Sequence, residues 1–355
     1  MLDTTRQLAL GFNGTIYNYR ELRTELIALG YAFFSEGDSE VILKAYHAWV
    51  EQCVQRFYGM FAFAIRNIRG GLRASLFLAR DRFGIKPLYL KQDGSRLRFA
   101  SSLPALLAGG GVDTRLDPVA LHHHFMLHTV VPAPRTILTG VRKLAPASTM
   151  TVRVDGLVTQ KVYSTLDATR PTEPLSETQW LARTREVLVR ALDRHRLAAD
   201  VPVGVLLSGG LDSSLLVGLL ADQVDDLRTF SIGFEGITGV SMGAEKADEF
   251  EFSDLTSAQF KTRHHKHLIP NSEVLARLPE AVAAMIEPTM SHNVIAFYLL
   301  SERVSKEVKV VLAGQGADEV FGGYFWYPLM DAETGSAVSV SAATTSTATK
   351  QSIWR

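Results

Sequence analysis

Cysteine is almost missing from this chain of 355 residues: Cys53 stands alone. No internal disulfide is therefore available, and the composition fits a reducing, cytoplasmic setting. Neither charge sign is in surplus, with 37 Lys and Arg against 37 Asp and Glu. That balance gives no global field for nucleic acid or a membrane surface to answer. No apolar run reaches bilayer-spanning length, and the first residues lack a signal-peptide pattern. There is no internal repeat. What is present, 46% hydrophobic and 21% charged residues, suits a soluble globular protein with room for about two domains.

The most informative stretch runs Val203-Gly-Val-Leu-Leu-Ser-Gly-Gly-Leu-Asp-Ser-Ser214. Its apolar opening predicts a strand over 203–207, buried on both faces, and a helical pattern starts near Asp212. A strand-to-helix turn leaves free backbone N–H groups at the helix N-terminus, an anion site backed by the helix dipole. Gly209 and Gly210 let the backbone close around a phosphate, while Ser208, Ser213 and Ser214 add hydroxyl donors. Asp212 supplies a carboxylate suited to Mg²⁺. No Gly-Lys-Ser/Thr follows, so this is not a Walker A loop; the bland alternative is an ordinary turn. The stretch resembles the pyrophosphate loop of ATP pyrophosphatases, which adenylylate a carboxyl or carbonyl oxygen.

Along the chain, residues 1–10 carry no clear pattern. Helices are expected over 21–29, closed by Gly30, and over 41–50, where Ser39 would be the N-cap. Strands are expected over 60–65, 72–79 and 87–90. Helices with successive strands, lacking βαβ alternation, indicate an α+β domain. In the second half, a helix over 177–198 precedes the glycine loop. Strands over 227–234 and 308–313 alternate with helices over 254–265, 272–286 and 292–306. That alternation indicates a parallel doubly wound sheet whose ligands lie beyond the carboxyl ends of its strands, where Ser208, Gly233 and Gly314 fall. His264-His-Lys-His267 reads as a solvated helix end. Four histidines between His122 and His128 suggest a metal through His124 and His128 at i, i+4, but the surrounding Leu, Phe and Met favour a packed helix.

Several motifs in the first half carry a family resemblance: Asn13-Gly14, Ile16-Tyr-Asn-Tyr19, Asp38-Ser-Glu40, Gly59-Met-Phe-Ala62, Leu78-Ala-Arg-Asp81 and Lys86-Pro-Leu-Tyr89. They are similar to the N-terminal-nucleophile glutaminase domain of class II amidotransferases such as asparagine synthetase. Gly314-Gln-Gly-Ala-Asp-Glu-Val-Phe-Gly-Gly-Tyr324 resembles the same family's second nucleotide motif. Taken alone, it would read as a glycine-rich surface loop. The resemblance covers about residues 8–329 and implies an α+β N-terminal-nucleophile glutaminase-like domain (1–150). After a linker (151–175) comes an α/β doubly wound parallel sheet of the ATP pyrophosphatase type (176–329). It also implies roles: Asn13 and Gly14 as oxyanion hole, Asp38 on the glutamine α-amino group, and Asp212 with Asp318 on Mg²⁺. Leu206, Ile232 and Gly314 would line the adenine pocket, while Gln315 and Tyr324 would face the acceptor.

Three departures qualify that picture. The family's nucleophile is a cysteine directly after the initiator Met, yet this chain begins Met1-Leu2-Asp3 and reaches Asn13 after twelve residues. Cys53 lies inside the chain, so its nitrogen is an amide and cannot serve as base; a structural or surface thiol is the expectation. Thr15 replaces an acidic residue common in asparagine synthetases, and Gln315 replaces their usual Glu. Gln315 argues for a different acceptor, and stretches such as Phe230-Ser-Ile-Gly-Phe-Glu235, Asp248–Asp254, Ser291-His-Asn293 and Ala296-Phe-Tyr-Leu-Leu300 resemble N-acetylglutaminylglutamine amide synthases. The family continues past residue 329 with a catalytic lysine, whereas 330–355 is a Ser/Thr/Ala-rich tail, read either as disordered or as a shifted reading frame. A chain missing both ends, with slow acceptor turnover, is therefore expected. The functional expectation is an ATP- and Mg²⁺-dependent amide-forming amidotransferase taking ammonia from glutamine. Its acceptor carboxylate would be aspartate or a peptide, and a homodimer is compatible with it. The rivals are an inactive remnant that binds ATP and an ammonia-dependent ligase without glutaminase activity.

Overall fold

The computed structural model describes residues 1–68, 74–94, 96–167, 169, 173–235, 250–289 and 293–324. Expectations for residues 72, 73, 248, 249, 291, 292 and 325–355 lie outside these. The chain forms two compact units: Met1–Asp200 with Val282–Val294, and Val201–Ala281 with residues from Ile295 onward.

The first unit opens with β1 (Leu2–Asp3) and β2 (Leu8–Ile16), then α1 (Tyr19–Ala28), α2 (Asp38–Trp49) and α3 (Cys53–Arg56). Strands β3 (Gly59–Asn67), β4 (Ser75–Arg80), β5 (Tyr89–Asp93) and β6 (Arg96–Ala100) follow, with α4 (Leu103–Ala108) and α5 (Pro118–Met126). Strands β7 (Arg142–Lys143), β8 (Ser148–Arg153) and β9 (Val158–Val162) lead to α6 (Glu177–Ala198). A six-stranded antiparallel sheet has the order β1-β2-β3-β4-β8-β9, and a three-stranded one the order β6-β5-β7.

Period-2 alternation explains the layering. On β3, Phe61, Phe63 and Ile65 point into a core shared with Leu22 and Leu26 of α1 and Val41 and Ile42 of α2. Ala62 and Ala64 face the other way, against Leu88 and Leu90 around β5. Tyr89, between those two leucines, faces a third core with Leu103 and Leu106 of α4. The layers are thus helix, sheet, sheet, helix.

The second unit carries β10 (Val203–Leu206), α7 (Leu211–Leu220), β11 (Arg228–Phe234), α8 (Phe250–Phe260) and β12 (Arg263–Ile269). Then come α9 (Asn271–Ala284), α10 (Asn293–Glu307), β13 (Val310–Leu312) and α11 (Ala317–Phe321). Among the described residues its four strands are all parallel, in the order β12-β11-β10-β13. Leu300 and Val304 of α10 pack with Phe230 and Val308 on one face, and Leu206, Ile232 and Val311 pack against that cluster.

Several expectations need correction. His264-His-Lys-His267 is not a helix end: α8 stops at Phe260, Lys261 takes φ 53°, and residues 263–269 pair with β11 one by one. His264 Nδ1 lies 2.8 Å from Thr229 Oγ1, and burial lowers its pKa. Ser39 is not an N-cap, since Gly37 holds that place and α2 starts at Asp38. His124 and His128 do not share a helix face, because α5 ends at Met126 and His128 has φ 46°. Among the described residues no cluster of three or more potential ligands stands ready for a metal. Residues 151–162 are no linker; they include strand residues of the large sheet, so that sheet runs past residue 150. The segment before Asn13 is strand, with Leu8–Ile16 paired along its whole length to β3.

Arg80 and Asp81 organise the turn between β4 and β5. The Asp81 carboxylate is 1% exposed and accepts N–H bonds from Phe61, Phe83, Ile85 and Lys86 at 2.9–3.1 Å. Arg80 donates to the carbonyls of Gly84, Lys86 and Leu144 at 2.6–2.8 Å. Asp81→Ala leaves four amides, that of Phe61 buried, without their acceptor and should destabilise the first unit by about 3 kcal/mol in urea titration. A loss below about 1 kcal/mol would mean that water replaces the carboxylate.

Candidate functional site

Two groups of candidate residues fall in the two units. In the second, β10 hands the chain to α7 through Leu207–Gly210. Gly209 takes φ 89°, and a Cβ there would sit 2.6 Å from that of Phe252 at the start of α8. The turn therefore needs glycine for both conformation and space. Gly210 is the N-cap of α7 and offers no side chain to the first amides of the helix. Those amides and the dipole behind them are the donors an anion would meet.

The serines divide their work. Ser208 Oγ accepts from Gly210 N at 3.2 Å and lies 3.1 Å from Ser213 Oγ, which donates to the Gly210 carbonyl at 3.1 Å. Ser213 is buried and holds the loop from inside, while Ser208 is exposed at its rim. Ser214 Oγ is 3.0 Å from Thr256 Oγ1, tying α7 to α8.

Asp212 lies in the first turn of α7. Burial, then the charge of Asp318, raises its carboxyl pKa above the usual range. Two carboxylates that repel each other in this way could offer oxygen donors to a divalent cation, which phosphate oxygens and water would have to complete. Glycines make the approach possible. A Cβ at Gly314 would meet Asp212 Cβ at 2.9 Å, and one at Gly323 would meet Asp318 Oδ1. Leu206 ends β10, Ile232 lies two residues before the end of the adjacent parallel strand β11, and Gly314 lies two residues past β13. Gln315 is exposed beside Gly314, and the Tyr324 hydroxyl donates to Glu319 at 2.7 Å.

In the first unit, Asn13 and Gly14 lie on β2 opposite Ala62 and Phe61. Gly14 takes φ 145°, and a Cβ there would strike the Met60 carbonyl, so the two backbones meet at van der Waals limits. Asp38 accepts from Ile16 N at 3.0 Å, which brings it to the same end of β2. Burial raises its carboxyl pKa, partly offset by the amides of Ile16 and Ser39. Asn18 explains the Tyr-Asn-Tyr motif: its side chain bonds Arg56 O and Tyr58 N at 2.9 Å and so makes no cap bond to α1. Cys53 is fully buried in the core with Phe57 and Phe61, and burial pushes its thiol pKa well up. It is a structural thiol, not a surface one. Asp81 and Glu287, a buried organiser and a bridging carboxylate, carry no assigned role in the sequence reading. The clustering of Asp81 with Arg80 was their one visible signal.

Residues 1–164 match the family model described as "Glutamine amidotransferase domain", and residues 183–352 the model described as "Asparagine synthase". The chain is thus of the glutamine amidotransferase class, joined to a synthase domain. It is 36% identical over 318 residues to asparagine synthetase [glutamine-hydrolyzing] 1 of Bacillus subtilis, covering 89% of this chain and 48% of that one. A putative asparagine synthetase [glutamine-hydrolyzing] of Mycobacterium tuberculosis is 36% identical, over 90% of this chain and 48% of its own. A second putative one, from Methanocaldococcus jannaschii, is 34% identical, over 88% and 58%. The chain belongs to the asparagine synthetase (glutamine-hydrolysing) family. It spans about half the length of the curated relatives it matches. Among the described residues no helix is long and apolar enough to cross a membrane.

Two predictions follow from these geometries. The buried, un-ionised Cys53 should stay unlabelled by an aromatic disulfide reagent in the native chain and react fully once guanidinium unfolds it. Rapid native labelling would show that the helix bearing it opens freely. Because the raised pKa of Asp212 disfavours its ionised form, the ligand-free fold carries a repulsion that is relieved as pH falls through that pKa. Asp212→Asn should therefore melt no lower than the parent at pH 7, yet bind ATP about tenfold less tightly with Mg²⁺ present. Calorimetry measures both, and unchanged ATP affinity would remove Asp212 from the site.

Proposed function

We propose that the protein containing this chain is an ATP-dependent, amide-forming amidotransferase. A substrate carboxylate oxygen attacks the α-phosphorus of ATP and pyrophosphate leaves; ammonia then attacks the acyl carbon and AMP leaves with that oxygen. The observation that carries the reading is the uncapped start of α7 after Ser208–Gly210, with Asp212 and Asp318 beside it. The α7 amides and Ser208 would hold the pyrophosphate oxygens, and Ser213 would keep the loop in shape. Leu206, Ile232 and Gly314 would form the adenine wall. Mg²⁺, held by Asp212 and Asp318, would offset charge on the departing pyrophosphate.

Asn13 and Gly14 would stabilise the oxyanion of glutamine hydrolysis, and Asp38 would bind the glutamine α-amino group. Cys53, the one cysteine in the sequence, is sealed in the core and would not serve as the nucleophile of that step. The names of the relatives favour aspartate as acceptor. Gln315, neutral where the family's asparagine-forming members carry Glu, favours the second reading, a glutaminylglutamine dipeptide.

Mg²⁺-dependent ATP binding and acceptor-dependent exchange of labelled pyrophosphate into ATP test the proposal. We expect binding that EDTA abolishes, and exchange stimulated by aspartate. Stimulation by the dipeptide alone would transfer the assignment to the second acceptor. ATP binding indifferent to Mg²⁺ would sink the site.

A further inference from the structure

Behind the glycine turn, hydroxyls of the second unit meet at one histidine. His264 stands on β12 opposite Thr229 of β11, and its side chain is buried. Its Nδ1 lies 2.8 Å from Thr229 Oγ1, which in turn lies 2.9 Å from Thr262 Oγ1. Its Nε2 lies 3.3 Å from Ser253 Oγ of α8 and 3.4 Å from Ser231 Oγ of β11. Each serine has one proton, and both are committed to carbonyls: Ser231 donates to Leu207 O, and Ser253 to Phe250 O at 3.1 Å. Both oxygens can therefore only accept from the ring, which places the ring proton on Nε2, shared between the two. Nδ1 is then the acceptor of a neutral imidazole and faces the Thr229 hydroxyl. Asp254 does not call for a second proton: one oxygen is 3.9 Å from Nε2, while the other accepts from Lys266 Nζ at 2.9 Å. Burial lowers the His264 pKa, which also favours the neutral ring.

Both serines touch the backbone of the turn. The carbonyl that Ser231 holds belongs to Leu207, the residue before Ser208. A Cβ at Gly209 would come within 2.7 Å of the Ser253 amide nitrogen, so Ser253 abuts the turn at that glycine. We propose that His264 is a positioning residue for this turn: its Nε2–H holds Ser231 on the Leu207 carbonyl and Ser253 beside Gly209, and so fixes the backbone that presents Ser208–Gly210 to a phosphate. The consequence for nucleotide rests on the function proposed above; the tautomer and the hold on the turn do not. A ring set between β11 and α8 resists displacement, because moving the serines away leaves a buried N–H without its acceptors.

Nitrogen NMR of the imidazoles, amide exchange and Mg²⁺-ATP titration on the whole chain test this, with His264→Gln, His264→Asn and Ser231→Ala. Among the ten histidines, the signal of His264 is the one lost in His264→Gln. We expect the neutral Nε2–H tautomer at pH 7. Gln places an amide donor where Nε2 stood, whereas Asn reaches only the Nδ1 position, so the pair separates donation to the serines from mere filling of space. His264→Asn and Ser231→Ala should each speed amide exchange over 207–214 about tenfold and weaken ATP binding about 3- to 10-fold, with exchange in β3 unchanged. His264→Gln should stay within about twofold of the parent in both. A protonated ring or the Nδ1–H tautomer overturns the bonding. Equal acceleration in Gln and Asn, or none in either, overturns the positioning role. Faster exchange with unchanged ATP affinity overturns the link to phosphate. Should His264→Asn fail to fold, the parent's tautomer and Ser231→Ala decide. If the parent binds no Mg²⁺-ATP, the function proposed above fails, while tautomer and exchange still decide the hold on the turn.

Discussion

Where a strand ends and a helix begins, the first backbone N–H groups of the helix have no partner within it, and something must accept from them. The helices answer this differently, and α2, with Gly37 as its N-cap, has no side-chain cap either. Helix α6 closes its own end with a capping box, Ser176 Oγ accepting from Gln179 N while the Gln179 side chain accepts from Ser176 N. Helix α5 uses Asp117, which accepts from Val119 and Ala120. Helix α7 has Gly210 in that place and no side-chain acceptor, while the nearby serines bond to one another and to the loop. The loop is thus held rigid without its helix being capped. The parallel sheet behind it supplies the rest, because neighbouring strands end side by side and bring Leu206, Ile232 and Gly314 to one edge.

The first unit depends on backbone proximity of another kind. β2 and β3 approach so closely that Gly14 and Gly59 each face a carbonyl of the opposite strand, Met60 and Thr15 respectively. Any side chain at either position would force the ladder apart. That crossing holds Asn13 and Gly14 beside Ile16, whose amide is taken by Asp38. Around the corner, Asp81 gathers four amides and Arg80 three carbonyls, so the turn into β5 is fixed by charge-assisted bonds. Asn13, Gly14 and Arg80 therefore sit on one antiparallel sheet, to whose backbone amides Asp38 and Asp81 are bonded.

Carboxylates do three distinct jobs in this chain, and environment separates them. Asp81 is buried and saturated with amide donors, which makes it structural. Asp212 is raised in pKa by burial and by the charge of Asp318, a like-charge repulsion that a bound cation would relieve. Glu287 is shared between a lysine and a tyrosine on neighbouring strands, which makes it a tether. Residue type alone does not distinguish these roles.

Much of this was legible in the sequence. The apolar run before Ser208-Gly-Gly210, the helix over 177–198 and the periodic leucines of α1 act through neighbours a few residues apart, and local spacing encodes them fully. Glycines at 209, 314 and 323 were legible too, because the dihedral at Gly209 and the close contacts at all three leave no room for a side chain. What depends on distant chain was not. The strand at 263–269 was hidden because its histidines and lysine carry no strand-like alternation, and pairing with β11 overrides their weak local preference. Leu8–Ile16 became a strand through β3, some fifty residues on, and residues 148–162 joined the sheet through β4. Tyr89, Lys143 and Glu287 are up to 198 residues apart in the chain, and no spacing rule connects them. The sequence by itself determined the glycine turn between β10 and α7, the 314–324 motif and the burial pattern that makes two kinds of sheet. Tertiary structure alone decided which carboxylate repels, which one is neutralised and which thiol is sealed, because burial and charge at a given atom come from segments that only folding brings together.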